Sequence, residues 1–270
     1  MKYKIVADSA CNIVSGEDGT FASVPMKIVA EREYVDDAHL DVAQMVEEPP
    51  ELYDGAELRF EGRVYQPDGK SGAPRFDFRQ WMLKNGMPFG ITISKHLSGS
   101  YNAARHAADT YMAEHPERKA FIFDSLATGP EMMMLAQKIR QCEDAGDDFE
   151  TTKEKVLDYH NHLHTLFCLE SMNNLARNGR VNIAVAKIAG MLGIRVAGEA
   201  KGGQVAPVHK PRGLRKTTQM LVDMVRERGF RDGGYIRVAH CFAEEAAADF
   251  REALLAEFPH ARFMLEPTTA

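Results

Sequence analysis

The chain has 270 residues, of which 44% are hydrophobic and 27% are charged, and its formal net charge is −6. This composition is typical of a folded globular protein and excludes intrinsic disorder, while the acidic balance with scattered basic residues argues against nucleic-acid binding. No apolar run approaches the roughly 18 residues of a membrane span, so we expect no transmembrane segment. Because the first residues also lack an export signal, we expect a cytoplasmic protein.

The first half of the chain alternates short apolar runs with helical segments. Apolar runs that stop at small polar residues predict strands at residues 3–7, 23–29, 89–93 and 120–123. Helical spacing predicts helices that begin near residue 78 and extend over residues 101–112 and 131–142. Residues 49–72, rich in Gly, Pro and charge, predict a long irregular insertion. The sequence therefore predicts an α/β fold with a parallel-sheet, Rossmann-like N-terminal lobe over residues 1–149.

The second half mixes a hairpin with strand–helix alternation. The pair Gly202-Gly203 predicts a tight turn between strands at residues 193–197 and 204–208. Further strands are predicted at 165–169, 235–239 and 262–265, and helices at 151–164, 175–178, 184–192, 215–225 and 244–258. A turn-like stretch at residues 146–148 marks the boundary. The sequence therefore predicts a C-terminal mixed-sheet α/β lobe over residues 150–270.

Three predicted strand ends carry hydroxyls, namely Asp8-Ser9, residues 94–100 and Asp124-Ser125. Ligands of open parallel sheets bind outside the carboxyl ends of the strands, so we expect these residues to meet at one rim. In residues 93–101 (ISKHLSGSY), small residues open a helix. Its unpaired N–H groups and the Ser98 hydroxyl would form a cradle for an anionic oxygen, although Ser98 could equally be a helix N-cap.

Enzymatic uses of this rim remain open as the alternative. Asp8 and Asp124 could act as acid and base or could simply tie down loops, and Ser98 could be the nucleophile of a small-molecule hydrolase or transferase. The sequence shows no base near Ser98 to activate it, no G-x-S-x-G elbow and no phosphate-binding glycine motif.

Metal binding is not predicted. In residues 160–164 (HNHLH) only His160 and His164 share a helical face, and no carboxylate stands at ligand spacing, so we expect a solvated helix end. The four cysteines form no C-x-x-C pair, which predicts buried free thiols.

Five motifs spread over the chain resemble those of one known protein family. Residues 5–13 (IVADSACNI) resemble the family's V-T-D-S-T-A-D-L start, and residues 24–28 (VPMKI) its V-P-L-x-V strand. Residues 93–101 match I-S-S-x-L-S-G-T-Y. In the second half, residues 169–181 resemble L-x-x-L-x-x-G-G-R-I, and residues 210–216 (KPRGLRK) resemble K-x-R-G-x-K-K. Taken together, these motifs resemble the DegV family of bacterial fatty-acid-binding proteins.

This resemblance implies a carrier rather than an enzyme, with a long-chain fatty acid as its ligand and no cofactor. The acyl chain would lie in an apolar tunnel between the lobes, and Ser98, the Gly99 amide and Ser71 would hold its carboxylate. The family's T-S-Q-P-S loop, which supplies the last of these anchors, falls on residues 70–74 (KSGAP). The family's closing H-x-G-P-G motif has no counterpart before residue 270, which we attribute to divergence or truncation.

The resemblance also implies a protein partner, the catalytic subunit of a fatty acid kinase, to which the carboxylate is presented. Arg180, Arg212 and Lys216 would form the rim that docks this partner or the acyl phosphate, unless they are ordinary solvated charges. Acyl-chain length and unsaturation depend on the shape of the tunnel, which the sequence does not reveal.

Overall fold

The computed structural model describes residues 3–12, 21–29, 33–36, 40–43, 57–59, 63–65, 74–77, 88–182 and 193–268. The chain divides into two compact units, the first ending at Leu163 and the second comprising His164–Thr268. The predicted helix near residue 78, the predicted helix at 184–192 and the proposed anchor Ser71 lie outside the described residues.

The first unit is built on a four-stranded parallel sheet with the strand order β2-β1-β8-β9. These strands are Phe21–Val24 (β2), Lys4–Asp8 (β1), Pro88–Thr92 (β8) and Phe121–Asp124 (β9). Its helices are α1 (Ser100–Glu114), α2 (Pro130–Asp144) and α3 (Phe149–His160). A 3-10 helix, Ser9–Cys11, follows β1 directly. The predicted parallel α/β arrangement is confirmed.

Alternate residues of each strand supply two apolar layers, one on each face of the sheet. Val6, Val24 and Ile122 pack with α1 through its Ala104, Ala108 and Tyr111. The other layer joins strand residues to α2 and α3, and its largest members include Ile5, Phe89, Ile91, Phe123, Leu135, Ile139 and Val156. Because side chains alternate along a strand, burial on both faces requires near-continuous apolar runs, which is why these strands were recognisable.

Short antiparallel strands follow in the same unit. Lys27–Val29 (β3) lies between Glu33–Val35 (β4) and Glu57–Arg59 (β5), while Arg63–Tyr65 (β6) pairs with Pro74–Asp77 (β7). The single strand predicted at 23–29 is therefore two strands, separated at Pro25, which has no N–H to donate to a ladder. The prediction of an irregular insertion at 49–72 was wrong where β5 and β6 form. Three-residue strands are too short to show alternation.

The second unit contains two small sheets. Leu166–Leu169 (β10), Val196–Lys201 (β11) and Gln204–His209 (β12) form an antiparallel sheet, and Tyr235–His240 (β13) pairs in parallel with Arg262–Pro267 (β14). The helices are α4 (Asn173–Arg177), α5 (Leu214–Glu227) and α6 (Glu244–Glu257). Both kinds of strand pairing occur, which confirms the predicted mixed α/β character.

Glycines shape the hairpin of the second unit. Gly202 and Gly203 both have positive φ, 57° and 83°, as the predicted tight turn requires. A Cβ at Gly198 would lie 2.3 Å from the carbonyl oxygen of Ala206 and 2.5 Å from the Phe167 ring, so only glycine lets β11 approach these groups. The turn was visible in the sequence, whereas the close approach at Gly198 was not.

The boundary between the units lies after Leu163 rather than after residue 149. Asp148 caps α3 by accepting a hydrogen bond from the Thr151 N–H at 2.8 Å. Phe149 then stacks on Phe89 of the parallel sheet, with ring centroids 4.5 Å apart. The turn-like stretch at 146–148 therefore connects two helices of one core, because turn composition alone does not distinguish a helix connection from a linker.

None of the helices in the described ranges is long and apolar enough to cross a membrane. Of the cysteines, Cys11 and Cys142 are buried, Cys168 is half-buried and Cys241 is exposed. The expectation of buried thiols was therefore wrong for Cys241, which follows the end of β13.

Candidate functional site

The carboxyl ends of β1, β8 and β9 lie side by side, as the strand pattern predicts. Thr92 pairs with Asp124, and Asp8 follows the Ala7–Ile91 pair, which places it beside Thr92. Side chains in register on neighbouring strands point to the same face of a sheet. The structure therefore brings Asp8, Thr92 and Asp124 into one row at the rim.

Residues 94–99 connect this rim to α1 in a compact turn. Ser94 is fully buried, and its N–H donates to the Ala127 carbonyl oxygen at 2.9 Å. Its own carbonyl accepts hydrogen bonds from the N–H groups of Leu97 and Ser98, at 2.9 and 3.1 Å. The turn that carries Ser98 is thus fixed by backbone hydrogen bonds to its buried first residue.

Ser98 and Gly99 form the open part of this turn. The Ser98 Oγ accepts a hydrogen bond from the Ser100 N–H at 3.3 Å, and none of the described residues accepts its hydroxyl proton. Gly99, not Ser98, occupies the N-cap position of α1. Gly99 has an ordinary helical backbone with φ −76°, and a Cβ there would meet no atom of the described residues within 4 Å. Neither backbone strain nor packing in the described chain therefore requires a glycine at this position.

Asp8 is buried beneath the turn, with only 2% of its surface exposed. Its Oδ2 accepts a hydrogen bond from the Ile93 N–H at 2.9 Å. Burial raises the pKa of this carboxyl group to about 7, and the nearby Asp36 carboxylate adds to the rise, whereas the hydrogen bond from Ile93 opposes it. Asp8 therefore joins the end of β1 to the start of the Ser94 turn.

Ser9 and Asp36 tie the same rim to the small antiparallel sheet. The Ser9 hydroxyl donates to Asp36 Oδ2 at 2.5 Å and accepts from the Met26 N–H at 3.0 Å. The Asp36 N–H in turn donates to the Met26 carbonyl oxygen at 2.8 Å. Both hydrogen-bonding functions of this hydroxyl are used inside the protein, so Ser9 is a structural residue.

Asp124 is also tied down. Its Oδ1 accepts hydrogen bonds from the N–H groups of Lys95 and Leu126, at 3.2 and 3.1 Å, and its Oδ2 lies 3.5 Å from the Lys95 Nζ. The Lys95 ammonium also lies 5.9 Å from the centre of the Tyr101 ring. Of the two functions considered for Asp8 and Asp124, these contacts favour loop anchoring over acid–base catalysis.

His160 was wrongly predicted to lie on a solvated helix end. Its side chain is only 11% exposed, and its Nε2 lies 2.8 Å from the Ser125 carbonyl oxygen and 3.2 Å from Glu131 Oε1. The hydrogen bond to Glu131 raises the pKa of this imidazole. His160 thereby holds the loop after β9 in place. The missed signal was an apolar stripe on α3, which turns the last helical residue towards the core.

The remaining predicted site residues lie in the second unit and are exposed. Arg180 lies in the turn after α4, where its N–H donates to the Leu175 carbonyl oxygen at 2.7 Å. Arg212 forms an isolated β-bridge with Ile194, and Lys216 lies in the first turn of α5. No cluster of three potential metal ligands of the His, Cys, Asp and Glu types occurs among the described residues.

Comparison with known proteins shows which family the chain resembles in sequence and in fold. A family model described as "Uncharacterised protein, DegV family" matches residues 71–270. A DegV domain-containing protein of Streptococcus pneumoniae is 33% identical over 276 residues, which cover 100% of this chain and 93% of that protein. The match therefore includes the N-terminal residues that precede the region covered by the family model.

Two solved structures share the fold over almost the whole chain. The Streptococcus pneumoniae Fatty Acid Kinase (Fak) B3 protein loaded with linoleic acid has a TM-score of 0.86 and 32% identity, and the match covers 99% of this chain and 93% of that chain. A DegV family protein from Eubacterium eligens loaded with heptadecanoic acid has a TM-score of 0.83 and 29% identity, with 98% and 92% covered. The chain belongs to the DegV family.

Proposed function

We propose that the protein binds a long-chain fatty acid and holds its carboxylate at the Ser98–Gly99 turn. The observation that carries this proposal is the open pair of groups in that turn. The Ser98 hydroxyl has a proton that no described residue accepts, and a Cβ at Gly99 would meet no atom of the described residues within 4 Å. A hydroxyl and an uncovered backbone amide suit an anionic oxygen, and the first turn of α1 adds unpaired N–H groups.

The family relationship supplies the chemical class of the ligand. Two relatives of similar fold are loaded with linoleic acid and heptadecanoic acid, which share a carboxylate and a long hydrocarbon chain. Burial of the chain contributes roughly 0.8 kcal/mol per methylene, so the head group needs only a few donors to fix its orientation. Ser71, which lies outside the described residues, is proposed as the second anchor on the basis of the family motif.

We propose a carrier rather than an enzyme. No histidine or carboxylate among the described residues is hydrogen-bonded to the Ser98 Oγ, so an activating base for a nucleophile is not in place there. Asp8 and Asp124 accept backbone hydrogen bonds that fix the loops of the rim. The chemistry would then be done by a partner, and no cofactor is needed for binding alone.

The proposed partner is the catalytic subunit of a fatty acid kinase, which would place the protein in the cytoplasm, where ATP is available. The exposed Arg212 lies two residues before the first residue of α5 and the exposed Lys216 lies in its first turn, and with Arg180 they are the proposed docking cations. Charge reversal by Arg212→Glu with Lys216→Glu should slow phosphorylation of the bound acid by a bacterial fatty acid kinase at unchanged fatty-acid affinity. Lys201→Glu, at the hairpin tip, is the matched control.

Oleate binding compared with methyl oleate binding tests the carrier role. We expect the wild-type protein to prefer oleate and to bind it with micromolar or tighter affinity, because a charged carboxylate accepts stronger hydrogen bonds from the Ser98 hydroxyl and the Gly99 amide than a neutral ester does. Native mass spectrometry of the protein purified from bacteria should also show a bound acyl chain. The absence of such a ligand, together with no binding of any C14 to C18 acid, would contradict the proposal.

A further inference from the structure

A row of buried oxygens lies under the proposed head-group turn. Val6 and Ile122 pack against α1, so Asp8 and Asp124, two residues further along the same strands, point to that face as well. Thr92 lies between them in the row. The first turn of α1 places the fully buried Ser100 over the same face.

Four oxygens of this group have no hydrogen-bond partner among the described residues, namely Asp8 Oδ1, Thr92 Oγ1, Ser100 Oγ and Asp124 Oδ2. Of these, Asp124 Oδ2 lies 3.5 Å from the Lys95 Nζ. Asp8 and Thr92 are each 2% exposed, so solvent does not replace the missing partners. A buried carboxylate oxygen without a partner is costly, and it becomes a donor to a neighbouring hydroxyl when it takes up a proton. The arrangement therefore favours the neutral form of Asp8.

The carboxylate of Asp36 also favours the neutral form of Asp8. Asp36, from the segment after β4, brings a second carboxylate, and it is held by the Ser9 hydroxyl. Asp124, two strands away in the sheet, is paired with the Lys95 ammonium. Burial and Asp36 together raise the pKa of Asp8 to about 7, so its carboxyl group exchanges a proton within the physiological pH range.

Asp8 is connected to both ends of the turn that carries Ser98. At the start, its Oδ2 holds the Ile93 N–H, one residue before Ser94. At the other end, the neighbouring Ser100 side chain favours a lower pKa of Asp8, and the Ser100 N–H donates to the Ser98 Oγ. A change in the charge of Asp8 therefore acts on the Ile93 hydrogen bond at the start of the turn and on the neighbouring Ser100 at its end.

We propose that Asp8 is a positioning residue for the Ser98–Gly99 turn, and that binding of an anionic head group there is coupled to uptake of a proton by Asp8. This inference rests on the proposed function, because the anion is the fatty-acid carboxylate. The negative charge of the ligand disfavours ionised Asp8, and by reciprocity protonation of Asp8 strengthens binding. Affinity for the carboxylate should fall as the pH rises through 7.

Isothermal titration with oleate, below its micelle concentration, tests this coupling in two buffers of different ionisation enthalpy. At pH 7 the wild-type protein should take up roughly 0.2 to 0.5 of a proton per oleate bound, and its affinity should fall about three- to tenfold between pH 6 and pH 8.5. Asp8→Asn keeps an acceptor for the Ile93 N–H but cannot ionise. It should bind oleate with markedly less proton uptake and a flatter pH dependence.

A second variant keeps the test decisive if Asp8→Asn does not fold. Asp36→Asn removes the neighbouring negative charge, so the pH at which proton uptake is greatest should move downwards. Oleate binding without proton uptake in the wild-type protein, or equal uptake in wild type and Asp8→Asn, would overturn the coupling and leave the carrier role intact. Failure of the wild-type protein to bind oleate at any pH would instead overturn the carrier role and the coupling with it.

Discussion

Ser125 and Ser98, which follow the neighbouring strands β9 and β8, differ in whether the hydroxyl is already used by the fold or is available to a ligand. Ser125 is fully buried, and its hydroxyl donates to the Ala127 carbonyl oxygen at 3.0 Å and accepts from the Ala127 N–H at 3.2 Å. Ser98 is half-buried, and within the described part of the chain its hydroxyl makes one hydrogen bond, which its oxygen accepts from the Ser100 N–H. Both residues are serines, so the sequence alone does not tell which hydroxyl supports the fold and which is available to a ligand. The difference lies in the hydrogen bonds that each hydroxyl already makes.

The supports of the two loops differ in the same way. The Ser125 loop is held by the buried side chain of His160, whereas the Ser98 turn is held by backbone hydrogen bonds to Ser94 and leaves its tip open. We therefore expect changes at the Ser125 loop to affect the free energy of unfolding and changes at the Ser98 turn to affect ligand affinity.

The largest expected effect is on stability and comes from His160→Leu. The substitution removes the N–H that lies against both the Ser125 carbonyl and the buried Glu131, so we expect a loss of about 3 kcal/mol in the free energy of unfolding. Urea denaturation measures this loss. His162→Leu, an exposed position two residues further on, is the control and should change stability by about 0.5 kcal/mol or less. Equal effects of the two substitutions would show that the loop does not depend on His160.

A matched pair of serine substitutions separates the two roles. Ser125→Ala leaves the buried Ala127 N–H without its acceptor and should cost about 1 to 2 kcal/mol of stability with little change in oleate affinity. Ser98→Ala should weaken oleate binding about tenfold and change stability by about 0.5 kcal/mol or less. Both quantities are measured on both variants. If Ser98→Ala mainly lowered stability and Ser125→Ala mainly lowered oleate affinity, the roles assigned to the two serines would be wrong.

The pH dependence of the free energy of unfolding tests whether His160 interacts with Glu131 in the folded protein. Glu131 raises the pKa of His160 in the folded protein, so the folded state binds more protons than the unfolded state above pH about 6.5. This contribution is fully present below that pH and is lost as the pH rises through the folded pKa, with a slope of at most about 1.4 kcal/mol per pH unit. Denaturation of wild type and His160→Gln from pH 5.5 to 8.5 checks the sign. A wild-type slope that the substitution leaves unchanged would contradict it.

Gly99→Ala should act mainly on ligand affinity and little on stability. The position has an ordinary φ and an open space for a Cβ, so we expect a change of about 1 kcal/mol or less, mainly from the poorer N-cap. Oleate affinity should nevertheless fall, because the added methyl group occupies the space beside the backbone amide. Unchanged affinity in this variant would show that the ligand does not approach Gly99.

Much of the architecture was predictable from local patterns. Buried parallel strands are apolar on both faces, and two adjacent glycines such as Gly202-Gly203 are typical of a tight hairpin turn. The sheet, the main helices and the hairpin could therefore be predicted from the sequence. The position of Ser98 at the rim also followed from strand order. The short strands β5 and β6 were not visible, because three residues carry too little periodicity.

The parts of the site that were missed depend on contacts between distant segments. His160 lies 35 residues from Ser125, and Asp36 lies 27 residues from Ser9. Nothing in the local sequence reports that these pairs meet. The burial of Asp8 and the unpaired oxygens around it are likewise properties of the packed rim, so the proposed proton coupling could be inferred only from the structure.

A crystal structure of the protein with oleate tests the central claim most directly. We predict a long, unbranched ligand whose carboxylate lies within about 3 Å of the Ser98 Oγ and the Gly99 N, with the Ser125 loop unchanged and still bonded to His160. A ligand whose carboxylate lies elsewhere, with the Ser98 hydroxyl still unoccupied, would contradict the account.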